Sequence, residues 1–460
     1  MTLFFRRTLY IFFILAFLII TPTTILFANG YKFKLSSDFK TMVRLEKTGT
    51  LVLETEPDGA RIRLNNVLEA EPFSRLASAL RIGERRIIAT PAKIKNLSPG
   101  EYDVTLELDG YWPWKKKLRI EEGKSTFAED VKFFQKNTPQ LISKAKIKAL
   151  ASSPDRNQLA FLTNDQVMDL SISGDDAEIL PRPIGTSSAA EIKWSGDGKK
   201  IIAGSTVFNT SDGRLEINIK KYLDAEREYR WPLASSEIVY YLDKKKNGSS
   251  LNSFNLKNYE NRAVYETAGQ ILDFLNNGQL YLIVLNDNKS ELLIKDETGR
   301  MIRKIDLPLS RDYRFVPGGR FTSIIDRQHD IFYLFNEELY IPVVAKKNDV
   351  KLVDWVDRTK FLYANDSEIY LYYLENQESV LLARVSSPIK FIAWHPNNNY
   401  IIFATADAIN AIELDDREKR SITELAQLER LEKPFLNATG NQLYFIGKTA
   451  QGEGLYRLGL

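Results

Sequence analysis

Ile192-Lys193-Trp194-Ser195-Gly196-Asp197-Gly198 ends an apolar strand on an aromatic residue, turns through Ser, Gly and Asp, and leads into a second apolar run at 201–203. The same design recurs along the chain. Leu150-Ala151-Ser152-Ser153-Pro154-Asp155 precedes it, and Tyr229-Arg230-Trp231-Pro232, Asp273-Phe274-Leu275-Asn276-Asn277-Gly278 and Arg314-Phe315-Val316-Pro317-Gly318-Gly319 follow. Asp354-Trp355-Val356-Asp357, Ala393-Trp394-His395-Pro396-Asn397 and Pro434-Phe435-Leu436-Asn437-Ala438-Thr439-Gly440 complete a set of eight. Most copies lead into an apolar strand, such as 159–162, 238–242 or 401–404. Their spacing of roughly 40 residues is that of one four-stranded propeller blade and too short for an independent domain.

A lone four-stranded antiparallel sheet leaves both faces wet, whereas blades stacked radially bury those faces against their neighbours and expose only short edges. The strand-end residue before each turn is apolar or aromatic, and the aromatic is expected to fill the space between blades. The last segment, Leu455-Tyr456-Arg457-Leu458-Gly459-Leu460, counts as only the third strand of its blade. Residues near Gln140 to Ser143 are expected to supply the missing outer strand and close the ring, which favours eight blades over seven. The turns resemble the S-P-D-G turn of TolB-like and other WD40-type repeat propellers. The likeness is nearest at Trp194-Ser195-Gly196-Asp197-Gly198, with Ser153-Pro154-Asp155 and Trp394-His395-Pro396-Asn397 as weaker copies.

Working toward the N-terminus, residues 49–132 also read as β-structure. Leu51, Leu53 and Thr55 alternate with Val52, Glu54 and Glu56 before Pro57-Asp58-Gly59-Ala60 breaks the run, and Arg61-Ile62-Arg63-Leu64-Asn65 resumes it, the grammar of a hairpin. Leu97-Ser98-Pro99-Gly100-Glu101-Tyr102 opens a strand over 103–108 that turns at Asp109-Gly110-Tyr111 and returns from Trp114 to Ile120. The order of these turns, with Thr90-Pro91 between them, resembles the PEGA domain, a small β-sandwich of extracytoplasmic bacterial proteins. Asp58 stands where the family name has Glu, and the charged stretch 67–88 is longer than the usual connection. The resemblance implies a surface-recognition module and no chemistry. Tyr111, Trp112 and Trp114 are expected to pack on the sheet rather than form a contact patch.

After Arg6 and Arg7 comes an uncharged, mostly apolar run over 8–28, close to the roughly 20 residues that cross a bilayer as a helix. It exceeds the h-region of a signal peptide and lacks a small-x-small site after Phe27, so an uncleaved anchor is expected. The preceding arginines put residues 1–7 in the cytoplasm and the β domains outside. The whole chain is thus expected to be all-β beyond the anchor: cytoplasmic stub and transmembrane helix at 1–30, polar linker at 31–48, PEGA-like sandwich at 49–132, and β-propeller at 133–460.

The chemistry left to such a chain is narrow. Cysteine is absent, which removes disulfides, thiolate metal sites and cysteine nucleophiles, and only His329 and His395 are present. Both read as turn residues. With 63 basic and 60 acidic residues the net charge is +3, which gives nucleic acid no electrostatic footprint. There is no G-x-S-x-G turn, P-loop or G-x-G-x-x-G, and Ser195-Gly196-Asp197-Gly198 places its glycine one position early for a sialidase-type box. Asp155, Asp197 and Asp357 could be pictured as a carboxylate cluster, but at equivalent turn positions each is expected to cap its own turn. Lys244-Lys245-Lys246-Asn247-Gly248 and Lys115-Lys116-Lys117 read as solvated lysines. No catalytic, cofactor-binding or metal-binding residue is expected, and no binding residue can be named. The reading is a membrane-anchored, non-enzymatic envelope protein that binds a protein, peptide or wall glycan, with an envelope hydrolase or lyase built in the propeller channel as the alternative.

Overall fold

The computed structural model describes residues 3–35, 43–65, 67–68, 87–164, 166–171, 181–186, 191–223, 227–233 and 235–460. Most of the charged stretch 67–88 lies outside them. A helix runs from Leu3 to Ala28, and its Arg6–Ala28 portion is long and apolar enough to cross a membrane. Pro22 sits inside it, and the Thr23 and Thr24 hydroxyls donate to the carbonyls of Ile19 and Ile20 four residues back. Residues 31–48, expected as a plain linker, hold two antiparallel strands, Tyr31–Leu35 and Val43–Lys47.

The chain divides into two compact units, the first comprising residues 1–136 and 415–421. In it, one sheet orders the strands Ala92–Leu97, Gly49–Glu56 and Ser125–Lys132, and the other orders Val67–Leu68, Arg61–Leu64, Gly100–Glu107 and Trp114–Ile120. The expected hairpin across Pro57-Asp58-Gly59-Ala60 is therefore corrected: its two strands belong to different sheets. The reason is that Leu51 and Leu53 on one side, and Ile62 and Leu64 on the other, are buried in a single core, which an edge-paired hairpin could not place between them. Thr90 holds the crossing: its carbonyl accepts the Gly59 N–H and its hydroxyl oxygen accepts the Ala60 N–H. The 100–107 and 114–120 strands do pair as a hairpin. Strict alternation along Trp114–Ile120 buries Trp114, Leu118 and Ile120, and Lys116 with them. Lys116 therefore departs from the solvated reading, and its ammonium bonds the carbonyl of Asp415 at 2.6 Å.

The second unit, residues 137–414 and 422–460, contains eight four-stranded antiparallel sheets among its described residues. Each of the eight segments quoted above lies at the junction of the first and second strands of one sheet, as between Ile192–Trp194 and Lys200–Ala203 or between Phe391–Trp394 and Tyr400–Ala404. The aromatics pack between sheets as anticipated. Trp194 donates its indole N–H to the Ala151 carbonyl of the preceding sheet at 2.9 Å. Trp355 lies against Gly318 and Gly319 so closely that a Cβ on Gly319 would come within 2.3 Å of its ring. One sheet joins distant parts of the sequence: Gln140–Ser143 pairs with Gly452–Gly459, Gln140 opposite Arg457 and Leu141 opposite Tyr456. Gln442–Thr449 and Arg430–Leu436 complete it.

Candidate functional site

First strands of neighbouring sheets touch one another, Ala149–Ser152 with Ile192–Trp194, Gln270–Asn276 with Tyr313–Phe315, and Leu352–Trp355 with Phe391–Trp394. They form the inner edge of the array, where propeller channels lie. On five consecutive first strands the residue beside the strand-end aromatic, just before it or just after it in its turn of the pleat, is charged: Lys193, Arg230, Asp273, Arg314 and Asp354. Sequence reading passed over this series, although the alternation from Arg230 to Asp354 is written in the repeats themselves.

The charges meet across sheet boundaries. Lys193 pairs with Glu191 and with Glu228 of the next sheet, each at 2.9 Å. Glu228 is shared with Arg230 at 2.9 Å, and Arg230 reaches on to Asp273 of the following sheet. The second oxygen of Asp273 accepts the backbone N–H of Phe315, one sheet further, at 2.8 Å. Asp354 repeats this clip, accepting the Trp394 N–H at 3.1 Å. Arg314 pairs with Asp312 at 3.1 Å and donates to the Leu272 carbonyl. Four sheets are thus tied in series by Lys193, Glu228, Arg230, Asp273 and the Phe315 amide.

Electrostatics sorts these groups. Burial works against ionised Glu228, but hydrogen bonding from Lys193 and the charge of Arg230 outweigh it and hold its carboxyl at about 2. Arg230 is pushed up, because Asp273 and Glu228 overcome the opposing effect of burial. Asp354 goes the other way: burial raises it, with the Trp394 N–H and the Arg156 charge offsetting only part. A carboxylate held low, as Glu228 is, makes a poor general base, whereas Asp354 moves toward the range useful for proton transfer.

The residues weighed from sequence fall elsewhere. Asp155, Asp197 and Asp357 each close their own turn, accepting respectively from Ser153 and Asn157, from Ser195 and Lys199, and from Thr359 and Lys360. Hydrogen bonding from Ser153 lowers the Asp155 carboxyl. In Asp197 and Asp357 burial opposes the lowering, and hydrogen bonds led by Ser195 and Thr359 prevail. His395 is buried in its turn, with Nε2 3.1 Å from the Gly440 carbonyl oxygen. His329 has Nδ1 2.7 Å from Asp326, whose other oxygen accepts from the Ser310 hydroxyl at 2.6 Å. The serine bonds the carboxylate rather than the imidazole, so it lacks the contact with a base that activates a nucleophile. Tyr111 packs edge-on to Phe133 and Trp114 is in the core. The Lys244-to-Gly248 segment is the tight hairpin turn expected of it, and Lys245 pairs with Glu266 on the surface. Among the described residues no three His, Asp or Glu side chains form a group that could hold a metal ion.

Residues 78–135 match the family model described as PEGA domain. The chain carries a PEGA domain. The matched stretch starts after the Pro57-to-Ala60 turn that first suggested it and extends past residue 132. Among solved structures the chain is similar to dipeptidyl peptidase 4 of Porphyromonas gingivalis, at 10% identity over 69% of this chain and 58% of that chain, with a TM-score of 0.50. It is also similar to the Dos1 propeller, at 12% identity over 70% of this chain and 94% of that one, with a TM-score of 0.46. At such identities the likeness concerns fold alone, and the eight four-stranded sheets described above are those of a β-propeller. No curated protein matches the chain.

Proposed function

We propose that this protein is a single-pass, membrane-anchored binding or scaffold protein of the bacterial cell envelope. Its PEGA domain, within a module at 49–132, and its propeller at 133–460 present rigid surfaces to a protein, peptide or wall glycan. The observation that carries the reading is the inner-strand charge series: its carboxylates are engaged by cations and backbone amides of neighbouring sheets, an arrangement that stiffens a platform rather than performing chemistry. Each four-stranded sheet is taken as one blade, which makes eight. A protein-binding role also suits the fold, and nucleic acid finds no excess positive charge at a net +3.

The orientation rests on the PEGA domain, a fold of extracytoplasmic proteins. Arg6 and Arg7, from which the sequence reading took this orientation, are outnumbered by Lys32, Lys34, Lys40, Arg44 and Lys47 on the other side of the helix, so the charge rule does not carry it. Because the chain has no cysteine, a single Lys390→Cys reports topology directly. Labelling of intact cells by a membrane-impermeant maleimide is expected, and labelling only after lysis would overturn the extracytoplasmic placement.

One observation favours the alternative, an envelope hydrolase or lyase: Asp354 is a half-buried inner-strand carboxyl with a raised proton affinity. If that reading held, Asp354→Asn would abolish a hydrolytic activity on wall peptides or glycans that the unaltered protein displays. The scaffold reading expects no such activity in either form.

A further inference from the structure

We infer that a cleft between two neighbouring sheets of the propeller, lined by Asn410, binds the ammonium group and aliphatic stem of a lysine-type side chain presented by a peptide. The inference deepens the reading of the propeller as a binding platform and rests on it. The cleft has a volume of about 330 Å³. It opens where the turn 405–407, between the strands Tyr400–Ala404 and Ala408–Glu413, meets residues 385–387 of the preceding connection and the end of Ile422–Gln427. The register sets Phe403 opposite Asn410 and Asn410 opposite Glu424, so these three form one row across the sheet. Phe403, at the inner end of the row, is buried in a core shared with Leu362 and Leu382 of the preceding sheet. Asn410 is 8% exposed, yet its side-chain amide makes no hydrogen bond to the described residues. A buried amide needs a partner, and what enters the cleft supplies it.

The preceding sheet shows the same place filled and neutralised. There the corresponding row is Tyr363, Tyr370 and Leu381. The two tyrosine rings stack with centroids 5.0 Å apart, and the Tyr370 hydroxyl donates to Glu368 at 2.7 Å. Arg384, opposite Glu368 in the register, pairs with that carboxylate at 2.6 Å. In the cleft's own sheet asparagine takes the place of Tyr370, glutamate that of Leu381 and Gln427 that of Arg384, so the filling ring and the neutralising cation are both gone. The charged residues that line the cleft are Asp407 and Glu424, with no lysine, arginine or histidine among its described lining, and neither carboxylate is in an ion pair. Asp407 accepts the Thr405 hydroxyl at 2.8 Å through one oxygen, which leaves it the other. Two carboxylates and an amide oxygen suit an ammonium, which has three N–H donors and no acceptor. Val385, Ile422 and Leu428 line the same cleft and suit the methylene stem that carries such a charge. An anion would be repelled, and a neutral glycan has no charge to match them.

The test measures fluorescence anisotropy with the full-length protein in detergent micelles at low salt. The probe is an acetylated, amidated alanine pentapeptide with one central lysine and a neutral fluorophore, and its control carries norleucine in place of the lysine. The lysine peptide is expected to bind about tenfold or more tighter than the control, and Asp407→Asn combined with Glu424→Gln to remove that difference. Asn410→Leu, which fills the cleft, is expected to abolish binding, with melting curves showing that each variant is folded. No binding of the lysine peptide, equal binding of the two peptides, or a preference that survives the double variant would overturn the inference. Binding of chitotriose in place of the lysine peptide would overturn it too, by assigning the cleft to glycan. Crosslinking in cells separates this inference from the reading beneath it. Propeller-dependent capture that is the same for wild type and the double variant would refute the cleft and leave the platform standing, whereas no propeller-dependent capture and no peptide binding would refute both.

Discussion

Asp273 accepts a charged hydrogen bond from Arg230 on one side and a backbone N–H from Phe315 on the other, with its own side chain 5% exposed. Replacing it with Ala leaves the guanidinium and the amide without this partner. Asp273→Ala is therefore expected to lower stability by about 3 kcal/mol, the low end for breaking a buried pair, because Arg230 keeps Glu228. Asp273→Asn should cost less, since its amide oxygen still accepts from Phe315. Urea unfolding measures both, and a midpoint for the Ala variant unchanged from wild type would contradict the clip. Glu228 and Asp354 should respond to pH with opposite signs. Glu228 sits at about 2 in the folded chain against 4.5 for the free residue, so its contribution is complete above pH 4.5 and lost as the pH falls toward 2. The advantage of wild type over Glu228→Gln should shrink across that window. Asp354 is raised above 3.8, so it costs nothing while protonated in acid and penalises the fold as the pH rises through its native value. Asp354→Asn should match wild type in acid and exceed it at neutral pH. Equilibrium unfolding at several pH values decides this, and parallel curves would contradict the raised proton affinity of Asp354.

The repeats marked the first-to-second strand junction of all eight sheets because a tight turn and an inter-sheet aromatic each demand particular residues, and those demands are local. The hairpin at Pro57-Asp58-Gly59-Ala60 was misjudged for the converse reason: alternation tells which residues face a core, but not which of two sheets they approach from. Lys116 looked solvated since a run of three lysines conceals that the middle one has the buried parity of its strand. The charge series is present in the repeats, but its partners are roughly 40 residues apart, so no single segment reveals the pairing. Close packing at the glycines provides a direct check. Gly319→Ala should destabilise by about 1–3 kcal/mol through overpacking on Trp355. In the closing sheet, a Cβ on Gly454 would lie 2.1 Å from the Ser143 carbonyl oxygen, so Gly454→Val should disrupt the pairing of Gln140–Ser143 with Gly452–Gly459. Deletion of 455–460 should lower the melting temperature of the whole propeller further. An unchanged melting temperature in the deletion would show that these strands do not close the ring.

The whole molecule combines an apolar helix, a PEGA domain and a propeller whose inner-strand charges from Lys193 to Asp273 pair across sheets. Fold class and the two β modules were readable from sequence because repeat length and turn chemistry are intrinsic to the chain, whereas a recognition surface is defined by its complement. The central claim, that the propeller presents such a surface to an envelope partner, is tested most directly by crosslinking in the protein's own cells. The full-length anchored chain is compared with a chain lacking residues 133–460, and captured molecules are identified by mass spectrometry. The account predicts a defined envelope partner recovered only when the propeller is present. Recovery of the same partners by both chains would contradict it and move recognition to the PEGA domain.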